Sequence, residues 1–149
     1  MLSERLRTTF SDIASEAIEM VSLNVDKEDL AKGINYVSIY AQTQEEFSSV
    51  ARELKDNGTV ALQRSSGDYY KLTEPLKISA ITISHCRVRV FDDDHPERGY
   101  IDFEVKNYKK FKEKYLSKPH FLLISSGEEM IELRDPKFSV RAYFPSGNF

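Results

Sequence analysis

The stretch Tyr36-Val37-Ser38-Ile39-Tyr40-Ala41 places an apolar side chain at every second position, and Tyr100-Ile101-Asp102-Phe103-Glu104-Val105 does the same 64 positions later. Alternation with a period of two is typical of a β-strand with one buried face. A helix-like stretch follows each copy, and Phe47 and Phe111 keep the same offset. The shared register indicates that the chain repeats one structural unit.

The later parts of the two copies also match. Arg64–Asp68 and Ile124–Glu128 both carry Ser-Ser-Gly followed by an acidic residue, which is a turn signal between strands. Leu72–Pro75 likewise corresponds to Leu133–Pro136. Because three matches occur in the same order, we infer an internal duplication of a β-α-β-β-β unit. The first module covers 34–91 and the second 99–144, within a domain of 34–149, and a polar hinge at 92–99 joins them.

The N-terminal segment, residues 1–33, is predicted to be helical. Apolar residues recur there at spacings of three and four, which is typical of an amphipathic helix: Leu2, Leu6, Phe10, Ile13, Ala17 and Met20. A short second helix is expected from Asp26, a good N-cap, to Gly33, a good C-terminal stop. These helices would form a lid or a packing layer for the main fold.

Composition indicates one folded domain and excludes several kinds of partner. The chain has 149 residues, 40% hydrophobic and 30% charged, with a net charge of −3. Nucleic acid is not expected as a partner, since binding its phosphates requires a clustered positive face. No apolar run has the length of a membrane span or a signal peptide, so we expect no membrane partner and a cytoplasmic location. The single cysteine, Cys86, is expected to be a small buried side chain.

Paired β-α-β-β-β units resemble the vicinal oxygen chelate superfamily, which includes glyoxalase-like proteins and extradiol dioxygenases. Within it, the sequence is most similar to the YecM family of bacterial proteins, in the stretches Asn35–Ile39, Tyr70–Pro75, Gly99–Phe103 and Asp135–Val140. The resemblance implies an α+β fold in which the two modules form a curved mixed sheet. It also implies that the chain can form a homodimer.

The resemblance further implies a divalent metal on the concave sheet face, but the residues at those positions differ from the usual ligands. Tyr36 and Tyr100 stand where the first-strand histidines are expected, and a neutral phenol is a poor ligand beside imidazole. Arg87, Arg89 and Arg141 stand in the last strands, where carboxylates are expected. A guanidinium repels a cation, so we expect no metal and no cofactor.

Strand alternation predicts which side chains line the concave face. With a shift of phase, caused by a bulge near His85 and Cys86, the polar set contains the candidate ligand-binding residues: Tyr36, Tyr40, Arg87, Arg89, Tyr100, Asp102, Glu104 and Arg141. Two interpretations of this face stay open. Its charges can form cross-strand ion pairs on a solvated surface, or its arginines and tyrosines can bind a small anionic molecule such as a carboxylate or phosphate.

Other functions remain as alternatives, and whether the protein is an enzyme stays open. They are a metal-dependent lyase, isomerase or dioxygenase, and a structural domain that docks a protein in the concavity. His85 is a candidate general base near Glu104, or a structural histidine. The acidic run Asp92–His95 lacks the ligand pattern of a calcium loop and is interpreted as a flexible hinge.

Overall fold

A computed structural model describes residues 1–125 and 127–147. Ser126, in the second predicted turn, and residues 148–149, at the end of the predicted domain, lie outside the described residues. The elements in chain order are α1 (Glu4–Asn24), a 3₁₀ turn (Lys27–Asp29), β1 (Leu30–Tyr40), α2 (Gln44–Asp56), β2 (Gly58–Leu62), β3 (Tyr69–Ile78), β4 (Ile81–Arg89), β5 (Gly99–Val105), α3 (Tyr108–Tyr115), β6 (Phe121–Ile124), β7 (Met130–Leu133) and β8 (Val140–Pro145).

The strands form one curved, mixed, eight-stranded sheet of an α+β fold, in the order β2-β3-β4-β1-β5-β8-β7-β6. β1 pairs with β4 in parallel, and β5 pairs with β8 in parallel. The two halves join where β1 and β5 run antiparallel at the centre of the sheet. Each half therefore has the same order of strands, and each carries one helix between its first and second strand.

The pairing of β1 with β5 at the centre of the sheet relates the two copies of the sequence repeat. Val37 on β1 pairs directly with Ile101 on β5, and these two residues are counterparts in the repeat. In an antiparallel pair, a residue that faces its own counterpart lies on a local two-fold axis. Tyr36 therefore faces Asp102, and Ser38 faces Tyr100, on either side of that axis.

The helices cover one face of the sheet, and the predicted strand phase is confirmed. Ile39 and Phe103, at 4% and 6% exposure, belong to the main hydrophobic core with residues of all three helices. Phe10, from α1, is fully buried in the same core. Burial of aromatic and branched side chains of this kind supplies most of the favourable free energy of folding. We call the opposite face of the sheet the cup.

The N-terminal helix is a packing layer of the core and leaves the cup open. Ser3 caps α1 by accepting a hydrogen bond from the N–H of Leu6, and the apolar side of the helix packs on β1, β5 and β8. In the part of the chain that the structure describes, no helix is long and apolar enough to cross a membrane.

The predicted second helix from Asp26 to Gly33 is wrong. Only the 3₁₀ turn forms there, and Gly33 already belongs to β1. Leu30 and Ile34 pair with β5, so strand pairing at the centre of the sheet prevails over the local capping signals. β1 therefore begins four residues before the predicted module boundary at position 34.

The predicted shift of phase in β4 is confirmed, but its predicted cause, a bulge in β4 near His85 and Cys86, is wrong. Ile83 and Cys86 both lie in the main core, three positions apart, which a regular strand does not allow. The register of β3 against β4 shifts in the same place, between the pairs Leu76–Ile83 and Lys71–His85. Where the register shifts, β3 advances five residues and β4 only two, so the extra residues lie in β3. Cys86 is fully buried, as expected. The shift of phase turns Arg87 and Arg89 toward the cup.

Candidate ligand pocket in the cup

A pocket of about 470 Å³ opens on the cup, with four tyrosines at its centre. The hydroxyl oxygens of Tyr36 and Tyr100 are 3.0 Å apart, and those of Tyr36 and Tyr69 are 3.4 Å apart. The ring of Tyr143 packs edge-on against Tyr100, with centroids 4.9 Å apart. The two repeat counterparts Tyr36 and Tyr100 thus meet close to the local two-fold axis, on one face of the sheet, as predicted.

Strand register brings the pocket residues together in a row. Tyr69, Arg87, Ser38, Tyr100 and Arg141 occupy neighbouring positions across β3, β4, β1, β5 and β8. Ser38 is fully buried in the middle of the row. Because its side chain is short, Arg87 and Tyr100 can meet above it, and Arg87 Nη1 donates to Tyr100 Oη at 3.1 Å.

Arg87 is buried, and its hydrogen bonds go to neutral acceptors. Its exposure is 5%. Besides Tyr100, its guanidinium donates from Nε to the Gly67 carbonyl at 2.9 Å and from Nη2 to the Ser66 hydroxyl. Gly67 has φ +135°, and a Cβ there would lie 2.1 Å from the Val88 carbonyl oxygen, so this close approach requires glycine. Among the described residues no carboxylate forms an ion pair with Arg87.

Arg89 lies two residues along β4 and also lines the pocket. It is half-buried, and its guanidinium lies over the ring of Tyr40, with Cζ 5.8 Å from the centroid. No ion pair joins it to a carboxylate within the described residues. The pKa of Asp92 is lowered, chiefly by the hydrogen bond from the N–H of Asp94, and the charges of His95 and Arg89 add to this lowering.

Arg141, by contrast, is neutralised by carboxylates on its own side of the pocket. Its Nε donates to Glu97 at 2.8 Å, and its Nη1 donates to Glu132 at 3.1 Å. Glu132 is 2% exposed and also accepts from Tyr143 at 2.8 Å and from Arg134 at 3.0 Å. The cross-strand ion pairs considered above therefore exist at this wall, but none involves Arg87 or Arg89 in the described part of the chain.

The phenols of the cup remain neutral near pH 7. Burial raises the pKa of Tyr36, Tyr40 and Tyr100 above the usual range. Burial, with the Glu132 carboxylate, also raises the pKa of Tyr143 to about 12. Each hydroxyl therefore acts as a neutral hydrogen-bond donor and acceptor, as in the 3.1 Å contact between Tyr40 and Tyr143.

The segment between the two halves forms one wall of the pocket. Asp94 and His95 line the pocket, and the Asp94 carbonyl accepts from Arg141 Nη2 at 2.7 Å. The His95 ring packs on Tyr40, with centroids 4.7 Å apart. Burial, helped by Arg89 and Arg141, lowers the pKa of His95. The segment interpreted as a hinge thus carries contacts to both halves of the sheet.

The structure separates the predicted site residues into two groups. Five of them line the pocket: Tyr36, Arg87, Arg89, Tyr100 and Arg141. Tyr40 lies in the buried tyrosine cluster directly behind the pocket. Asp102 and Glu104 lie outside the pocket lining: Asp102 is buried on β5 opposite Tyr36, and Glu104 is exposed near Gly33. Neither carboxylate pairs with an arginine in the described part of the chain.

Asp102 has an unusual environment of its own. It is 4% exposed, and Asn35 Nδ2 donates to it at 2.7 Å. Asn35 lies at a register shift between β1 and β5, and this irregularity lets the amide reach Asp102. Burial, opposed only in part by the Asn35 hydrogen bond, raises the pKa of Asp102 to about 7.

Several pocket residues were not among the predicted site residues. Glu132 alternates with the apolar residues Ile131 and Leu133, and the strand period could have placed it on the cup. Arg134, Arg64 and His95 lie in loops, where no period applies. The remaining ones lie at strand ends, in turns or, for Tyr143, within β8: Ser66, Tyr69, Asp94, Ile124, Met130 and Tyr143.

The residues of the cup do not fit the divalent metal that the resemblance implies. Across residues 1–125 and 127–147, His, Cys, Asp and Glu side chains form no group of three or more that could hold a metal ion. Phenols and guanidinium groups line the centre of the pocket, and the buried carboxylate of Glu132 is occupied by two arginines and a tyrosine.

Comparisons with known proteins show the fold and nothing more specific. No protein-family model and no curated protein sequence matches the chain. A solved structure described as "Structural Genomics, Protein EC4020" superposes with a TM-score of 0.70 at 14% identity, covering 97% of this chain and 89% of that chain. Integron cassette protein HFX_CASS4, from the mobile metagenome of Halifax Harbour Sewage Outfall, covers 78% of this chain and 100% of its own at 12% identity, and its TM-score of 0.28 supports no argument.

Proposed function

We propose that the protein binds a small anionic molecule in the cup, between Arg87, Arg89 and the central tyrosines. The observation that carries the proposal is the Arg87 guanidinium, which is 5% exposed and hydrogen-bonded to neutral groups only. An arginine side chain keeps its charge at any physiological pH. A buried charge costs several kcal/mol unless an opposite charge or strong hydrogen bonds compensate it.

The remaining donors of Arg87 suit an oxyanion. A guanidinium has five N–H groups, of which Arg87 uses one on each of its three nitrogens. One N–H therefore remains on each terminal nitrogen. A carboxylate or phosphate can accept both at once, and such charge-assisted pairs are about twice as strong as neutral hydrogen bonds.

We further propose that the protein is a YecM-like member of the vicinal oxygen chelate superfamily, and the internal symmetry of the sheet supports this proposal. Two halves with the same strand order meet at a local two-fold axis, and the pocket lies over that axis. In our proposal the first-strand tyrosines and the arginines replace the usual metal site, so the pocket binds an anion directly. Fold likeness alone does not imply a reaction, and binding is all that we propose.

Calorimetric titration with inorganic phosphate, sulfate and small carboxylates tests the proposal. The parent should bind at least one of these anions, Arg89→Ala should weaken that binding about tenfold or more, and Arg87→Met should abolish it. Arg52→Ala is the matched control, because Arg52 is an exposed arginine on α2, on the opposite face.

Two results would count against the proposal. Unchanged anion affinity in both Arg87→Met and Arg89→Ala would place the site elsewhere. Stabilisation of the fold by Zn²⁺, Ni²⁺, Mn²⁺ or Fe²⁺ but by none of the anions, measured by thermal denaturation, would favour a metal-dependent activity instead. Circular dichroism of each variant establishes that the fold is intact.

A further inference from the structure

The charge balance of the pocket indicates the magnitude of the ligand's charge as well as its sign. Five arginines and the two acidic residues Asp94 and Glu132 line the pocket. Glu97, outside the lining, also pairs with Arg141. Five positive charges against three negative ones leave a net charge of +2. A ligand with one negative charge would therefore leave the pocket positive.

Within the described residues, three of the five arginines form no ion pair: Arg64, which is exposed in a loop, and Arg87 and Arg89. The last two lie at defined places on one strand. Arg87 and Arg89 are separated only by Val88, whose side chain is 1% exposed on the helix face. Residues i and i+2 of a strand point to the same face, roughly 6.5–7 Å apart along it. Arg87 lies at the bottom of the pocket beside Tyr100, whereas Arg89 lies over Tyr40, nearer the segment that contains His95.

The two guanidinium groups also differ in what they offer. Arg87 is fixed by hydrogen bonds to Gly67, Ser66 and Tyr100, so it presents a rigid pair of donors. Arg89 donates no hydrogen bond within the described residues, so all of its five N–H groups are available. A rigid deep site and an adjustable outer site suit a ligand whose negative charge is spread over two positions.

On these grounds, and on the basis of the proposed function, we infer that the ligand is a compact dianion. Arg87 binds one of its anionic oxygen groups, and Arg89 binds the second. A short dicarboxylate and a phosphate monoester share this chemistry. The phenols of Tyr36, Tyr69 and Tyr143 surround the ligand body and donate or accept hydrogen bonds.

Matched pairs of ligands with similar shape and different charge test the inference. Calorimetry at pH 8 and constant ionic strength compares succinate with succinamate, and methyl phosphate with dimethyl phosphate. In the first pair one carboxylate becomes an amide, and in the second one anionic oxygen is esterified. The dianion of at least one pair should bind about tenfold or more tightly than its monoanion, and the pair that discriminates identifies the source of the charge.

Arg89→Gln should reduce this discrimination to a ratio near one, because the second charge loses its partner. Arg52→Gln is the control and should leave the ratio unchanged. Equal affinity for both members of each pair would overturn the dianion inference and leave the proposed anion site intact. A ratio that survives Arg89→Gln would also overturn it. Absence of binding by all four ligands would count against both proposals.

Discussion

Asp102→Asn should change how the stability of the protein depends on pH. Asp102 is 4% exposed, and burial raises its pKa from 3.8 to about 7. Between these two values the native state holds a proton that the unfolded state releases. Unfolding therefore releases a proton, and raising the pH favours unfolding. The neutral acid stabilises the fold fully at low pH, and this contribution is lost as the pH rises toward 7.

The magnitude follows from the same pKa values. Each pH unit in this interval costs about 1.4 kcal/mol of stability. The whole interval from pH 5 to about pH 7 lies between the unfolded pKa and the native pKa. The parent should therefore lose roughly 2–3 kcal/mol of unfolding free energy between pH 5 and pH 8 through this group alone.

Urea denaturation of the parent and of Asp102→Asn at pH 5, 6, 7 and 8 measures the contribution of Asp102 to the pH dependence of stability. Other groups, such as the histidines, titrate in both proteins, so the difference between the two curves isolates Asp102. An asparagine can still accept the hydrogen bond from Asn35 Nδ2. Asp93→Asn is the control, because Asp93 is exposed.

Asp102→Asn should become more stable relative to the parent as the pH rises. Parallel curves for the two proteins would mean that Asp102 has an ordinary pKa, and that the buried position assigned to it is wrong. A relative loss of stability at pH 8 would show that the ionised carboxylate has a stabilising partner. Either result would refute the argument.

Three further predictions concern the core and the pocket. Phe103→Ala should lower the free energy of unfolding by about 3–5 kcal/mol in urea denaturation. Leu122→Ala should have little effect, because the Leu122 side chain is 52% exposed. Equal midpoints for the two variants would show that the strand phase is inverted. Arg141→Met should lower the free energy of unfolding by about 3 kcal/mol, because the buried Glu132 keeps only Arg134 as an arginine partner and Glu97 loses its own. Adding Glu132→Gln should recover part of that loss, and no recovery in the double variant would contradict the pairing. Burial lowers the pKa of His95, and a bound anion would raise that pKa. Sulfate affinity should therefore increase as the pH falls below about 6.5, and His95→Gln should remove this pH dependence. If the pH dependence is unchanged in His95→Gln, another group causes it.

The strands that build the centre of the sheet could be predicted from sequence because their signal is local. Val37, Ile39, Ile101 and Phe103 alternate with polar residues, and one buried face is enough to fix the phase of a strand. The repeat also predicted that Tyr36 and Tyr100 occupy equivalent places, since duplicated strands keep their side-chain directions.

Local signals failed where the partner strand decided the outcome. The capping residues Asp26 and Gly33 are typical of a helix, yet Leu30 and Ile34 pair with β5. Backbone pairing at the centre of the sheet outweighs the small free energy of a cap. A boundary read from propensity alone therefore fell four residues too late.

The amino-acid sequence by itself determined the two modules, the face of each central strand, and the presence of arginines and tyrosines on the cup. Which charges remain uncompensated was decided only by the tertiary structure. Glu132 and Glu97 reach Arg141, whereas Asp102 turns to Asn35 and Glu104 lies outside the pocket. Ion pairing depends on distances of a few ångströms between strands that are far apart in the chain, and strand alternation carries no information on these distances. The buried, unpaired charge of Arg87, on which the proposed function rests, is a property of the folded chain alone.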